Sequence, residues 1–198
     1  MTKYVLNSGG LSSNPKRTKE FFDELIVGLG DKPKVLQCLF ARSREIWEAK
    51  FKEYENGIIQ NPPAGVEPEY QWAYPESFEE QLKWCDAVYF WGGDDHLIKY
   101  WLEQFDIPKV WEGKVVGTNS GSTNALATSF WTCDWRRLFD GSGLLPIKTI
   151  THYDSSYGAD DPRGPIDWQK AYKELENYGD KSLPIHALEE SDFIVIEQ

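Results

Sequence analysis

The sequence predicts an α/β fold, a three-layer α/β/α sandwich built on a mostly parallel sheet. Short apolar runs alternate with segments of helical periodicity, two of the runs end in glycine-rich turns, and the chain closes on two further apolar runs. Alternating strands and helices pack as a parallel sheet covered on both faces. With 198 residues and 40% apolar content, the chain is expected to form one domain spanning residues 1–198.

The first quarter of the chain alternates strand and helix twice. Tyr4-Val5-Leu6 is a short apolar strand, and Asn14-Pro15 begins a helix whose apolar residues recur on one face until Gly30. Residues 34–41 form a continuous apolar run that is typical of a buried parallel strand. A second helix is predicted over residues 43–57, which gives the order β-α-β-α.

The rest of the chain continues the alternation. The predictions are a connection with an edge strand over 58–77, a helix over 78–84, a strand over 87–91, a helix after 95, an irregular segment over 130–143, a strand over 144–153 and a helix over 167–178. Asp94 or Asp95 is expected to cap the helix that follows them. The last two apolar runs, 184–188 and 193–196, predict a C-terminal antiparallel hairpin.

Composition excludes several classes of partner. A net charge of −11 repels phosphate backbones and anionic lipids, so we expect no nucleic acid and no membrane surface as a partner. The three cysteines, Cys38, Cys85 and Cys133, cannot all pair, which favours reduced structural thiols and a cytoplasmic location. No apolar leader or run of about eighteen apolar residues is present. Since no Cys/His cluster has metal-ligand spacing, no metal is expected. Gly28-Leu29-Gly30 and Gly141-Ser142-Gly143 lack a phosphate-loop frame, and no cofactor is expected.

The most informative stretch is the strand-turn-helix over residues 114–126. Gly117-x-Asn119-x-Gly121 has the frame of a nucleophile elbow, in which small flanking residues let the chain turn sharply and lift the central side chain above the sheet. The central residue is Asn119, whose amide nitrogen is a poor nucleophile. Ser120 follows one position later. Two alternatives therefore stay open: the nucleophile position is occupied by Asn119, which cannot attack, or Ser120 acts as a shifted nucleophile.

An acid and a histidine follow the elbow in the chain. Asp134 and His152 come after Asn119 in the order elbow, acid, histidine, which is the order of elbow-type hydrolases. In such a site the acid orients the imidazole, and the imidazole takes the proton of the nucleophile.

These motifs resemble the S51 peptidases, the group of dipeptidase E and cyanophycinase, whose fold is similar to that of class I glutamine amidotransferases. The segment Phe90-Trp91-Gly92-Gly93-Asp94-Asp95 is similar to the family's Gly-Gly-Gly-Asn-Thr turn. Residues 117–122 resemble its Gly-x-Ser-Ala-Gly-Ala elbow, and residues 144–153 resemble its Pro…Pro-His-Tyr segment. The resemblance covers nearly the whole chain.

The resemblance implies a set of roles. His152 becomes the general base and Asp134 its orienting acid, while Gly92, Gly93 and the Ser120 amide line an oxyanion hole next to Asp94. The nucleophile falls on Asn119, which departs from the family pattern. The resemblance also implies a cytoplasmic enzyme, with a homodimer as one possible assembly.

Three functions remain open at this point. The first is a serine-type dipeptidase or related hydrolase, impaired by Asn119, that acts on peptide bonds next to aspartate. Reading an acidic substrate requires a basic group, for which Arg136, Arg137 and Arg163 are candidates by location. The second is a pseudoenzyme that binds a peptide-like or carboxylate ligand in the same pocket. The third is an active hydrolase that uses Ser120 as a shifted nucleophile.

Overall fold

The computed structural model describes residues 1–198 as two sheets with helices packed on their faces. The central sheet comprises β1 (Lys3–Asn7), β2 (Lys34–Cys38), β3 (Glu69–Trp72), β4 (Ala87–Phe90), β5 (Val115–Asn119) and β10 (Phe193–Glu197). The second sheet comprises β6 (Ala127–Thr132), β7 (Arg137–Asp140), β8 (Leu145–Ile150) and β9 (Ile185–Ala187). The helices are α1 (Pro15–Ile26), α2 (Trp47–Glu53), α3 (Phe78–Trp84), α4 (Asp95–Leu102), α5 (Gly121–Leu126) and α6 (Trp168–Glu176).

The central sheet has the strand order β10-β1-β5-β4-β2-β3. All of its neighbouring pairs are parallel except β10 with β1. β4 and β5 are buried along their full length, as a continuous apolar run predicts for a strand covered on both faces. The edge strand predicted within residues 58–77 is confirmed as β3, which pairs only with β2.

Alternate residues of the strands feed two separate cores, which confirms the three-layer α/β/α architecture. Val35 and Tyr89 belong to a core under α1, whereas their neighbours Leu36 and Val88 belong to a larger core under α2 to α5. The start of α1 agrees with the sequence, since Asn14 caps the helix through the Arg17 amide, but the helix ends at Ile26, before the predicted stop at Gly30.

The second sheet lies between the larger core and α6. Ala127, Leu145 and Ile147 join the larger core, while Trp131 and Ile150 pack under α6. β6 is antiparallel to β7 and parallel to β8. The segment 130–143, predicted to be irregular, therefore contains most of a two-stranded antiparallel unit. Its apolar residues alternate too weakly to predict a strand, and pairing with β6 supplies the order.

The predicted C-terminal hairpin is wrong. β9 runs parallel to β8 in the second sheet, and β10 pairs antiparallel with β1 at the edge of the central sheet. A two-stranded hairpin is marginally stable in water, whereas each strand here completes the open edge of an existing sheet. The connection between β9 and β10 consequently crosses from one sheet to the other.

The three cysteines are free and buried. Burial raises the pKa of the Cys85 thiol to about 11, which suits an unreactive packing role. None of the helices has the length and apolar character needed to cross a bilayer.

Lys148 fastens α6 to the second sheet. This residue of β8 is 1% exposed, and its Nζ donates to the carbonyl oxygens of Leu175 at 3.0 Å and Tyr178 at 2.5 Å. These carbonyls lie at the C-terminal end of α6, where backbone acceptors lack intrahelical partners. Lys148 thus holds the helix against the strand that leads to His152.

We expect Lys148→Met to lower the free energy of unfolding by about 1–3 kcal/mol, because it removes the buried ammonium that donates to the Leu175 and Tyr178 carbonyls. Chemical denaturation measures the change. The control is Lys173→Met, which alters an exposed lysine of α6 and should leave the stability nearly unchanged. Equal stability of the two variants would contradict the anchoring role.

Candidate active site

Ser120 occupies the sharp bend between β5 and α5. Its backbone has φ 52° and ψ −119°, a conformation that is rarely populated by residues other than glycine. Such strained backbone is concentrated at functional sites, and a nucleophile elbow requires it. The bend therefore centres on Ser120, one residue later than the Gly117-x-Asn119-x-Gly121 frame indicates.

A chain of hydrogen bonds connects Ser120 to two further side chains. Ser120 Oγ lies 2.8 Å from His152 Nε2, and His152 Nδ1 lies 2.8 Å from Glu190 Oε1. Because a carboxylate only accepts, Nδ1 is assigned as the donor to Glu190, which leaves Nε2 to accept from the serine hydroxyl. His152 is 7% exposed, so the imidazole is shielded from water on most sides.

The turn that follows β1 fixes the backbone around this chain. Asn7 O accepts from the Ser120 amide at 3.0 Å, and Ser8 Oγ accepts from the His152 amide at 2.7 Å. Ser8 in turn donates to Leu188 O at 2.8 Å. One short turn thus positions the elbow, the histidine and the connection that carries Glu190.

Two glycines in that turn make room for the side chains. A Cβ on Gly9 would overlap the imidazole of His152, and a Cβ on Gly10 would overlap the carboxylate of Glu190. Both glycines also have positive φ, at 113° and 61°, which side-chain-bearing residues rarely adopt. Glycine is therefore required at both positions for the serine-histidine-glutamate chain to form.

Asp134 does not contact the imidazole, which corrects the predicted pairing with His152. Its Oδ1 accepts from the Tyr157 hydroxyl at 2.8 Å. The Tyr157 ring stacks on His152 with 4.2 Å between ring centroids and 26° between ring planes. Asp134 thus acts on the imidazole only through Tyr157, because Glu190 already occupies Nδ1.

Asn119 lies at the end of β5, opposite Asn7 of β1, and not at the apex of the bend. It is 9% exposed, and its side-chain oxygen has no hydrogen-bond partner. The prediction that Asn119 takes the nucleophile position is therefore wrong in geometry, since the side chain within reach of His152 belongs to Ser120.

Backbone amides beside Ser120 are free to bind a negatively charged oxygen. The amides of Gly92, Gly93 and Gly121 make no hydrogen bond within the chain. The Ser120 amide, which the resemblance places in the oxyanion hole, already donates to Asn7 O. Close packing demands glycine here: a Cβ on Gly121 would overlap the Gly93 carbonyl, and one on Gly92 would stand 3.0 Å from Ser120 Cβ.

These groups line a cavity of about 600 Å³. Its charged residues are Arg42, Asp94, Asp95 and Asp134, and Trp135 contributes an exposed aromatic ring. Asp94 is confirmed as the cap of α4, since its Oδ1 accepts hydrogen bonds from the backbone amides of His96 and Leu97 at 2.9 Å each.

The basic residues suggested by the sequence lie elsewhere. Arg136 donates to the carbonyls of Gly158 and Gly164, Arg163 binds Asp161, and Arg137 lies over the Phe139 ring. None of the three lines the cavity. Arg42, which follows the strand β2 and its short extension, is the arginine that does.

Asp95 is the buried acid of the cavity. It is 5% exposed, and burial raises the pKa of its carboxyl. His96 and the Thr132 hydroxyl lower this pKa, whereas Asp94 and Asp134 raise it.

The sequence reasoning missed Glu190. The residue sits in Glu189-Glu190-Ser191-Asp192, which had the appearance of a solvated hairpin turn. In elbow-type hydrolases the acid precedes the histidine in the chain, and this order favours Asp134 over Glu190. The usable signal was Gly9-Gly10, a pair of glycines at the end of a first strand that indicates close approach of another segment.

The chain was compared with known proteins. No protein-family model and no curated protein matches it. Among solved structures, it is similar to a "Putative Peptidase E Protein" from Listeria monocytogenes EGD-e, with TM-score 0.60 and 16% identity over 100% of this chain and 99% of that one. It is also similar to a peptidase from an acI-B1 Actinobacterium, with TM-score 0.62 and 20% identity over 99% of this chain and 83% of that one. The fold implied by the sequence resemblance is thereby confirmed: this chain has the α/β fold of those two peptidase structures.

Proposed function

We propose that this protein is a serine hydrolase that cleaves peptide or related amide bonds, with Ser120 as nucleophile, His152 as general base and Glu190 as the acid that orients it. The observation that carries the proposal is the continuous hydrogen-bonded chain from Ser120 Oγ through His152 to Glu190. Nucleophile, base and orienting acid in this relation are the recurrent constellation of acyl transfer. The similarity to two peptidase structures supports the amide bond as the target.

Acylation begins with the serine hydroxyl. His152 Nε2 takes the proton as Ser120 Oγ attacks the carbonyl carbon, and Glu190 stabilises the resulting imidazolium through Nδ1. The negative charge that develops on the carbonyl oxygen is stabilised by free backbone amides, for which Gly121 and Gly93 are our candidates. The imidazolium then donates its proton to the leaving nitrogen as the carbon–nitrogen bond breaks.

Deacylation repeats the sequence with water. His152 takes a proton from a water molecule that attacks the Ser120 ester, and then returns it to Ser120 Oγ as the carboxylic product leaves. The free enzyme is regenerated, and one amide has been hydrolysed to an acid and an amine.

The alternative of a non-catalytic binder depended on Asn119 as the nucleophile position. With Ser120 at the apex of the bend, that reason no longer applies, and the active hydrolase with a shifted serine is favoured. Ser122 is a poorer candidate nucleophile because its hydroxyl donates to Trp91 O at 2.6 Å. A cytoplasmic setting is part of this proposal and is supported by the three free cysteines.

We expect a fluorophosphonate probe to label the protein on Ser120, because the probe reacts with a serine whose proton a histidine can accept. Ser120→Ala should abolish labelling and lower amide hydrolysis by about 10⁶-fold. Intact-mass and peptide mass spectrometry measure the site. The matched control is Ser122→Ala, which removes a neighbouring hydroxyl and should leave the label in place. No label on the wild-type protein would refute the proposed function.

We expect Glu190→Gln to slow labelling by about 10³- to 10⁴-fold, because an amide cannot stabilise the imidazolium as a carboxylate does. Asp134→Asn should have a much smaller effect, since the replaced side chain reaches the imidazole only through Tyr157. The labelling rates of both variants are measured with an uncharged fluorophosphonate, so that the charge of the probe does not affect the comparison.

Glu189→Gln is the control for that comparison, because it makes the same chemical change on the exposed neighbouring residue. Its labelling rate should equal that of the wild type. A larger loss in Asp134→Asn than in Glu190→Gln would return the orienting role to Asp134.

A further inference from the structure

We propose that Asp95 is a specificity residue that binds a positively charged group of the substrate, an ammonium or a guanidinium, beside Ser120. The inference rests on the proposed function, because it names the chemistry of what the same cavity accepts. It reverses the acidic preference that the sequence resemblance implies.

The Asp95 carboxylate is buried with few groups near it to compensate its charge. Its side chain is 6% exposed, and the nearest basic nitrogen, His96 Nε2, lies 3.8 Å away, beyond hydrogen-bond distance. The Thr132 hydroxyl is the one hydrogen-bonding group that lowers the pKa of this carboxyl. A carboxylate shielded from water normally has a paired cation or several donors, because its desolvation is otherwise uncompensated.

Asp95 is also positioned to meet a substrate. It lines the cavity of about 600 Å³ together with Ser120. The backbone nitrogen of Asp95 lies 3.3 Å from the place where a Cβ on Gly121 would stand, so the residue is next to the elbow itself. A cationic group bound there would lie close to the reacting carbonyl.

The charge around the cavity favours a cation. Asp94 and Asp134 line the same cavity as Asp95, and Arg42 is its single arginine or lysine. The cavity thus carries three carboxylates against one guanidinium, an arrangement that attracts cations and repels an acidic side chain. A bound ammonium also offsets the cost of burying the Asp95 carboxylate, a cost that appears as the raised pKa of this group.

The cavity suits an organic cation better than a metal ion. No group of three or more histidine, cysteine, aspartate or glutamate side chains is arranged to hold a metal. A single ammonium or guanidinium needs only one or two acceptors, and the exposed Trp135 ring at the cavity wall can add a cation–π contact. Arg42, on the Gly93 side, remains available for a substrate carboxylate, as in a short zwitterionic peptide.

The test measures binding and therefore does not depend on turnover. Ser120→Ala protein is titrated calorimetrically with alanine amide, N-acetylarginine amide, N-acetylalanine amide and N-acetylaspartic acid α-amide. The first carries an α-ammonium, the second only a guanidinium, the third no charge and the fourth a carboxylate. The first two compounds distinguish an amino terminus from a basic side chain as the source of the charge.

We expect at least one cationic amide to bind about 10- to 100-fold more tightly than the uncharged amide, as a charged hydrogen bond to a buried carboxylate provides. Asp95→Asn in the same background should abolish that difference. Asp31→Asn, an identical change at an exposed residue before β2, should preserve it.

Two results would overturn the inference: equal or tighter binding of the uncharged or acidic amide, or a cation preference that survives Asp95→Asn. If Asp95→Asn does not fold, the preference of the Asp95-containing protein decides the question. Failure of the proposed function is a separate observation, since it appears as absence of the fluorophosphonate label on Ser120 whatever the amides bind.

Discussion

The site depends on the turn between β1 and α1, which connects the two sheets. Asn7 O accepts hydrogen bonds from the Ser120 amide and the Thr123 hydroxyl. The Ser8 hydroxyl accepts from the His152 amide and donates to Leu188 O. The elbow belongs to the central sheet, whereas the histidine follows a strand of the second sheet. Without these contacts, the two sheets could shift relative to each other, and a shift of 1 Å would break the hydrogen bond between Ser120 and His152.

Strain and buried charge are concentrated in this region. Ser120, His152 and Ser191 all have positive φ, at 52°, 58° and 65°. Asp95 contributes a buried carboxylate whose nearest basic nitrogen, His96 Nε2, lies 3.8 Å away. Each of these features is unfavourable for folding, and the two well-packed cores on either side of the central sheet supply the compensating stability.

Much of the fold follows from local patterns. The apolar strands, the Asn14 cap, the helix at 78–84 and the edge strand in the long connection all appear where the sequence indicates them, because each is specified by neighbouring residues. The errors occur where pairing partners are distant. β9 and β10 are adjacent in sequence yet join different sheets, and β7 acquires order only from β6. In the site, Gly92, Gly93, Asp94 and His152 line one cavity, while the side chains that contact His152 are those of Ser120 and Glu190 in place of Asn119 and Asp134.

The sequence by itself determined the α/β class, the elbow region and the histidine, since these depend on periodicity and on short motifs read along the chain. Only the tertiary structure decided that the bend centres on Ser120 and that Glu190 contacts His152. The backbone dihedral at the bend is set by the pairing of β5 with β1, and the partner of the imidazole is set by where a loop 38 residues later crosses between the sheets. Neither quantity is encoded in local spacing, because both result from contacts between segments that are distant in the chain.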